Sequence, residues 1–273
     1  MPAASRAALS SLRPRVQAVM GRFSSLDGRT GLAAELYSVA GLLTAQPRLR
    51  RMLADPASSP EARAGLADQL FETKVSTSTL QIVKDAAALR WSSPWDFLDA
   101  LEWAGDDVLL AAAEKEQAAD EIEDELFRFE RILDSGSALT TLLDEQTTDV
   151  ERRIRLLEQV VASKVHPITL ALLRHAVTSQ RKRSILLAIN ALIEAAAARR
   201  QRSVARVVSA IELSSAQQEH LAQALSQLYE RRIDVRYAVD PEVRGGLVVR
   251  VGDEVIDGSV ASRLTQARSA FTG

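Results

Sequence analysis

The chain has 273 residues, a formal net charge of −2, 26% charged and 4% aromatic residues, and no cysteine. The near-neutral balance gives no global attraction for nucleic acid or an anionic membrane. The absence of cysteine excludes disulfides, thiolate metal sites and cysteine nucleophiles. The length allows one large or two to three small domains, and abundant alanine with few aromatics favours closely packed helices.

Met1 to Arg13 carries two arginines but no apolar core, so it does not read as a secretory signal. No apolar run approaches the length of a membrane span; Ala188–Ala198 is interrupted by Asn190 and Glu194. These features predict a soluble, cytoplasmic chain. The first helix is expected over Leu12 to Phe23. An internal repeat follows. A shift of 90 residues superimposes Glu35–Ala86 on Glu125–Ala176 without a gap, with fourteen identities in fifty-two positions. The identities include Glu35/Glu125, Arg63/Arg153, Lys74/Lys164 and Thr79/Thr169, and Tyr37/Phe127, Leu42/Ile132 and Met52/Leu142 match at apolar positions.

Each copy reads as a helical bundle. Ile122, Leu126, Phe129, Ile132 and Leu133 have the spacing of one buried helix face, Ile154, Leu157, Val160 and Val161 of a second, and Ile185, Leu186, Ile189, Leu192 and Ile193 of a third. Breaks are predicted at Gln46-Pro47, Ser58-Ser59-Pro60 and Ser76-Thr77 in the first copy. In the second they fall at Ser135-Gly136-Ser137, Thr147-Thr148-Asp149 and His166-Pro167. The opening helix has an approximate partner around Val108 to Glu116. The first copy is therefore expected over 1–105 and the second over 106–202.

The tail, 203–273, changes character. Val204, Arg206, Val208 and Ala210 alternate as a strand, Ser215 with Gln218 reads as a capping box, and Ile233, Val235, Tyr237 and Val239 alternate again. Asp240-Pro241 starts a turn, and Gly245-Gly246 marks a bulge or positive-φ corner. Gly252-Asp253-Glu254 then connects two short apolar strands, and Asp257-Gly258-Ser259 closes the hairpin and caps a last helix. The expected fold class is mainly α: two tandem helical bundles followed by a small α+β module.

No catalytic constellation emerges. His166, His175 and His220 have no metal-binding spacing, Gly245-Gly246 lacks the Gly-Lys-Ser/Thr of a phosphate loop, and no serine sits in a nucleophile elbow. Charge is uneven: Asp106–Asp134 has eleven carboxylates against three bases, and Arg174–Arg206 has eight bases against Glu194. Such runs read either as solvated bundle faces or as docking surfaces for partner helices. The basic run lacks the interleaved aromatics of a nucleic-acid site. Trp91, Trp95, Phe97 and Trp103 read as bundle core, any exposed member being a candidate interface anchor.

The ordered set Asp240, Gly245, Gly246, Gly252, Asp253, Asp257, Gly258 and Ser259, with alternating valines between, resembles the C-terminal signature of the δ subunit of F-type ATP synthases, the oligomycin sensitivity-conferring protein family. The resemblance covers about 106–273; the extra bundle over 1–105 makes this a long form with a duplicated bundle. It implies a non-catalytic stator subunit of the peripheral stalk, without cofactor or metal. Its partners would be the N-terminal helices of the α subunits and subunit b of the stalk, with no nucleic acid, and with the membrane reached only through the complex, on its cytoplasmic face. The second copy, next to the signature module, is the one expected to hold the α helices. The alternative reading is a free-standing tandem-bundle adaptor or scaffold protein.

Overall fold

The computed structural model describes residues 1–135, 138–145, 147–161, 163–179, 184–202, 204–229, 233–241, 243, 245–251 and 254–257. These form two compact units, Met1–Ile193 and Glu194–Gly273. The chain is mainly helical, with one four-stranded sheet in the second unit.

The first unit begins with α1 (Ala3–Met20), α2 (Leu26–Ala45), α3 (Pro47–Leu53), α4 (Pro60–Phe71) and α5 (Thr77–Ala88). Their starts follow local chemistry. Prolines stand first in α3 and α4, where a missing N–H costs nothing. Ser25, Ser59 and Ser76 accept hydrogen bonds from the backbone N–H groups of Gly28, Ala62 and Thr79, as N-caps do. α1 starts well before Leu12 because Ser5 is anchored: its hydroxyl donates to Asp96 Oδ2 at 2.8 Å and accepts from the N–H of Ser92 at 2.9 Å.

α6 (Pro94–Lys115) is the centre of this unit: 15 of its 22 residues are buried. Its buried residues lie on nearly every side, Asp96, Glu102 and Asp107 among them, and α6 packs against α1, α2, α3 and α5 on one hand and α7 and α10 on the other. Position 105/106 therefore falls within a continuous helix, whose first half completes the first copy and whose second half opens the second. A corner at Gln117, with φ 59°, turns the chain into α7 (Ala119–Asp134). α8 (Ala138–Asp144), α9 (Val150–Val161) and α10 (Pro167–Thr178) complete the repeat, and α11 (Ile185–Arg202) leads into the second unit.

Ile122, Leu126, Phe129 and Leu133 are buried as their spacing predicts, but Ile132 is 45% exposed. It lies about 80–100° around the helix from the centre of that face, on its flank. Leu157 and Val161 are core in α9, and Ile185, Ile189 and Leu192 in α11.

In the second unit, β1 (Val204–Ser209), α12 (Ser215–Leu228) and β2 (Asp234–Val239) form a β-α-β unit, followed by β3 (Leu247–Val251) and β4 (Glu254–Asp257). The sheet order is β2-β1-β3-β4, with β1 parallel to β2 and antiparallel to β3, and β3 antiparallel to β4. Ala205, Val207, Val249, Val251, Leu225 and Ile233 make its core. The buried face of β1 is thus the Ala205–Val207 side and not the Arg206–Val208 side. The capping box is Ser214 with Gln217, one residue before the expected pair, because Ser214 holds the extended cap conformation while Ser215 is already helical.

Candidate partner-binding surfaces

The two copies share a polar skeleton at equivalent positions. In the first, Glu35 of α2 accepts from the N–H and hydroxyl of Ser76, at 2.9 and 2.6 Å, and from the Thr79 hydroxyl. In the second, Glu125 of α7 accepts from the N–H of His166 at 3.0 Å and from the Thr169 hydroxyl. A carboxylate at a helix N-terminus satisfies orphan donors and complements the helix dipole. Burial pushes the Glu35 carboxyl up, but the Ser76 hydroxyl, the Thr79 hydroxyl and the Ser76 N–H together outweigh it and hold the group below its ordinary value.

Buried Arg63 donates from Nε to the Ala87 carbonyl at 2.7 Å and from its Nη atoms to the carbonyls of Asp55, Ser58, Ala88 and Leu89. Buried Arg153 donates to the carbonyls of Val177 and Leu143, both at 3.2 Å. Val177 is the counterpart of Ala87. Ion pairs repeat too: Lys84–Asp68 corresponds to Arg174–Glu158, both 2.5 Å.

The copies meet where their sequences part. Arg15 of α1 pairs with Asp85 of α5 at 3.1 Å. The equivalent positions in the second copy are Gly105 and His175, and there the ring of Tyr37 from α2 of the first copy fills the space. Tyr37 stacks on His175 with ring centroids 3.6 Å apart and planes 6° off parallel, and its hydroxyl donates to Asp106 Oδ1 at 2.7 Å. A Cβ on Gly105 would stand 2.3 Å from the Tyr37 ring, so only glycine admits it. Burial first, and the Asp106 carboxylate next, raise the Tyr37 phenol well above its ordinary pKa. Ser179 donates to Glu102 at 3.1 Å beside the same seam, which borders a cavity of about 340 Å³.

The counterpart of Tyr37 is Phe127, which is 52% exposed on α7. Around it on α7 stand Asp120, Glu123, Asp124 and Glu130 of the acidic run together with Arg131, Asp124 being paired with Arg128, while Asp106 and Glu125 of that run serve the seam and the α10 cap. Of the tryptophan cluster, Trp91 and Phe97 are core, with Trp91 Nε1 donating to the Ala86 carbonyl at 2.7 Å. Trp95 is 43% exposed but lies under the Arg50 guanidinium, 3.5 Å from its ring centroid. Arg181-Lys182-Arg183 lie outside the described residues.

His166 caps α10, His175 is in the seam and His220 is exposed on α12. Sequence reasoning did not single out the His175 seam; its signal was the mismatch Asp85/His175 between the copies.

Among the signature residues, the Asp240 N–H donates to the Ser209 carbonyl at 2.9 Å, closing the end of β2 onto β1. Gly245 and Gly246 have φ of 70° and 82°, the left-handed region that side chains avoid. Asp257 ends β4 opposite Val248. Gly252, Asp253, Gly258 and Ser259, with the last expected helix, lie outside the described residues. No group of three or more His, Asp or Glu among the described residues could hold a metal ion, and no helix among them is long and apolar enough to cross a membrane.

A model of the family described as ATP synthase delta (OSCP) subunit matches residues 107–271. The ATP synthase subunit delta of Acidothermus cellulolyticus is 42% identical over 87% of this chain and 86% of its own length. That of Streptomyces griseus is 40% identical over the whole of both chains, so the similarity extends through the first bundle. The ATP synthase subunit b-delta of Mycobacterium sp. strain KMS is 40% identical over 95% of this chain, which spans 60% of that longer protein. The chain belongs to the ATP synthase delta (OSCP) subunit family.

Proposed function

We propose that this subunit, a peripheral-stalk component of an F-type ATP synthase, holds the N-terminal helices of the α subunits on its second bundle and subunit b on its C-terminal module. It acts without catalysis, as a structural tie that keeps the catalytic head from turning with the rotor. It works on the cytoplasmic face of the membrane and reaches the bilayer only through the complex. The observation that carries the α contact is the open Phe127. The equivalent Tyr37 is spent on the seam, whereas Phe127 offers an aromatic anchor in acidic surroundings. This suits an amphipathic helix with a basic flank and an apolar row, since aromatic anchors dominate interface energies and flanking charges set orientation and encounter rate. The joining of b and delta in the single chain of the Mycobacterium relative supports the b contact. Several moderate contacts on one rigid unit resist torque better than a single tight one.

The test is reconstitution. Membranes stripped of this subunit should retain ATP hydrolysis by the head but lose ATP-driven proton pumping, and adding the purified chain should restore pumping. Pumping that is unaffected by its removal would refute the stator reading.

A further inference from the structure

The groove between α8 and α9 carries charge that its counterpart in the first copy lacks. It holds a cavity of about 520 Å³, walled by Leu142, Thr148, Arg152, Arg153, Arg155 and Leu156. A shift of 90 residues gives Met52, Ser58, Ala62, Arg63, Gly65 and Leu66 in the first copy. The apolar and hydroxyl positions keep their character, and the buried arginine is common to both. At the positions of Ala62 and Gly65 the second copy has arginines instead. A Cβ on Gly65 meets nothing within 4 Å, so packing in the first copy asks for no side chain there.

The fold makes no use of the two added cations. Arg152 and Arg155 are exposed and form no ion pair or side-chain hydrogen bond with another described residue. Their acidic neighbours on the same turn, Asp149 and Glu151, do not pair with them. Glu158 is paired with Arg174 at 2.5 Å, Asp144 accepts from the N–H of Ile185 at 2.6 Å, and Glu145 accepts from the Thr147 hydroxyl. The undescribed residues that flank α8 and α9 are Gly136, Ser137, Gln146 and Ala162, none of them charged. Like charges spaced i, i+3 on a helix repel.

Arg153 adds a deficit below the surface. In the first copy Arg63 places five hydrogen bonds on carbonyls, from Nε and both Nη atoms. Arg153 is as deeply buried but makes two, both from Nη1, and its Nε has no hydrogen-bond partner among the described residues. A buried guanidinium short of acceptors is costly to the fold. An anion in the adjoining cavity supplies the missing counter-charge.

Three guanidinium groups on one cavity select oxygen anions, because their planar forks match the paired oxygens of a carboxylate or phosphate. Leu142, 48% exposed, and the half-buried Leu156 give the same cavity an apolar wall. Its volume is that of a small-ligand site.

We infer that the α8–α9 groove is a binding site for an oxyanion, phosphate or carboxylate, that carries an apolar tail. Phe127 is not among its walls, and its charge preference is opposite to that of the acidic ground around Phe127. The site goes beyond the stator role and stands without it.

The experiment titrates hexyl phosphate, inorganic phosphate, hexanoate and hexylammonium calorimetrically into the full-length protein, as wild type and as the double variant Arg152→Gln/Arg155→Gln. Hexyl phosphate and hexanoate should bind saturably, hexyl phosphate ~10-fold or more tighter than inorganic phosphate, and hexylammonium should not bind. The double variant should lose ~10-fold or more in affinity for both tailed anions. Its free chain should melt at the wild-type temperature or above it, since a like-charge pair is gone. Equal binding of hexyl phosphate by wild type and variant, hexylammonium binding as tightly as hexanoate, or no binding of either tailed anion would each overturn the inference. A lower melting temperature in the variant would make the two arginines structural and overturn it as well. The source of the anion is read from ATP synthase complexes assembled with the wild-type or the variant chain. Hexyl phosphate binding that differs between the two complexes assigns the site to a free ligand. A difference seen in the free chain and lost on assembly assigns it to an acidic side chain of a neighbouring subunit, and either result keeps the site.

Discussion

The first and second bundles hold the same polar skeleton and differ at the seam where α2 of one meets α10 of the other. Glu35 and Glu125 cap equivalent helices, and Arg63 and Arg153 bind equivalent carbonyls. At the pair 15/85 the first copy has an ion pair, whereas at 105/175 the second has a glycine and a histidine that admit Tyr37 from its neighbour. The same substitution logic leaves Phe127 without the role Tyr37 has. One pattern thus occurs twice, and a few side-chain differences give the first copy an inward-turned Tyr37 and leave the equivalent Phe127 of the second exposed.

The largest expected effect sharpens the skeleton. Arg63→Ala removes five side-chain hydrogen bonds to carbonyls from a buried position. It should cost about 3–5 kcal/mol in urea unfolding. Arg153→Ala, with two such bonds, should cost about 2 kcal/mol. Equal losses would mean that the two copies are held alike.

Next comes the seam. Gly105→Ala drives a methyl into the Tyr37 ring from a fixed helix backbone and should destabilise by about 2–3 kcal/mol. A further shift of 90 residues reaches Ala195 of α11, where Ala195→Gly should cost only about 1 kcal/mol, the helix-propensity difference. A harmless Gly105→Ala would remove the seam from this account.

A smaller effect separates the two capping glutamates. Glu125→Gln should cost about 2 kcal/mol and Glu35→Gln about 1 kcal/mol, measured at neutral pH. Because the Glu35 carboxyl is held below its ordinary value, its contribution is fully present above the unfolded-state pKa of about 4.3 and is lost as pH falls through the lower folded value. Glu35→Gln should therefore flatten the stability curve on the acid side of pH 4. A wild-type stability that is flat through that window would contradict the capping role.

Much of this was legible in the sequence. The repeat, the prolines that open α3, α4 and α10, the serine caps and the glycine corner at Gly245-Gly246 are local signals, and each acts through backbone geometry within a turn or two. The shared helix α6 was not, because Gly105-Asp106-Asp107 reads as a break between the copies and only packing on both sides carries the helix through it. The capping box slipped by one residue because Ser214-Ser215 and Gln217-Gln218 offer the same spacing twice. Ile132 was placed in the core because a helical flank and a helical face differ by a single position. The Tyr37–His175 stack joins residues far apart in the chain, and only their packing brings them together.

The most direct test of the open-anchor claim is a calorimetric titration of a peptide copying the N-terminal helix of the complex's own α subunit into the full-length protein. Wild type, Phe127→Ala and Leu42→Ala would be compared. Phe127→Ala should leave stability within about 0.5 kcal/mol of wild type, as an exposed side chain should. It should weaken peptide binding by ~10-fold or more, while Leu42→Ala binds as wild type does. Unchanged binding in Phe127→Ala would contradict the assignment of the second bundle as the one that grips the head.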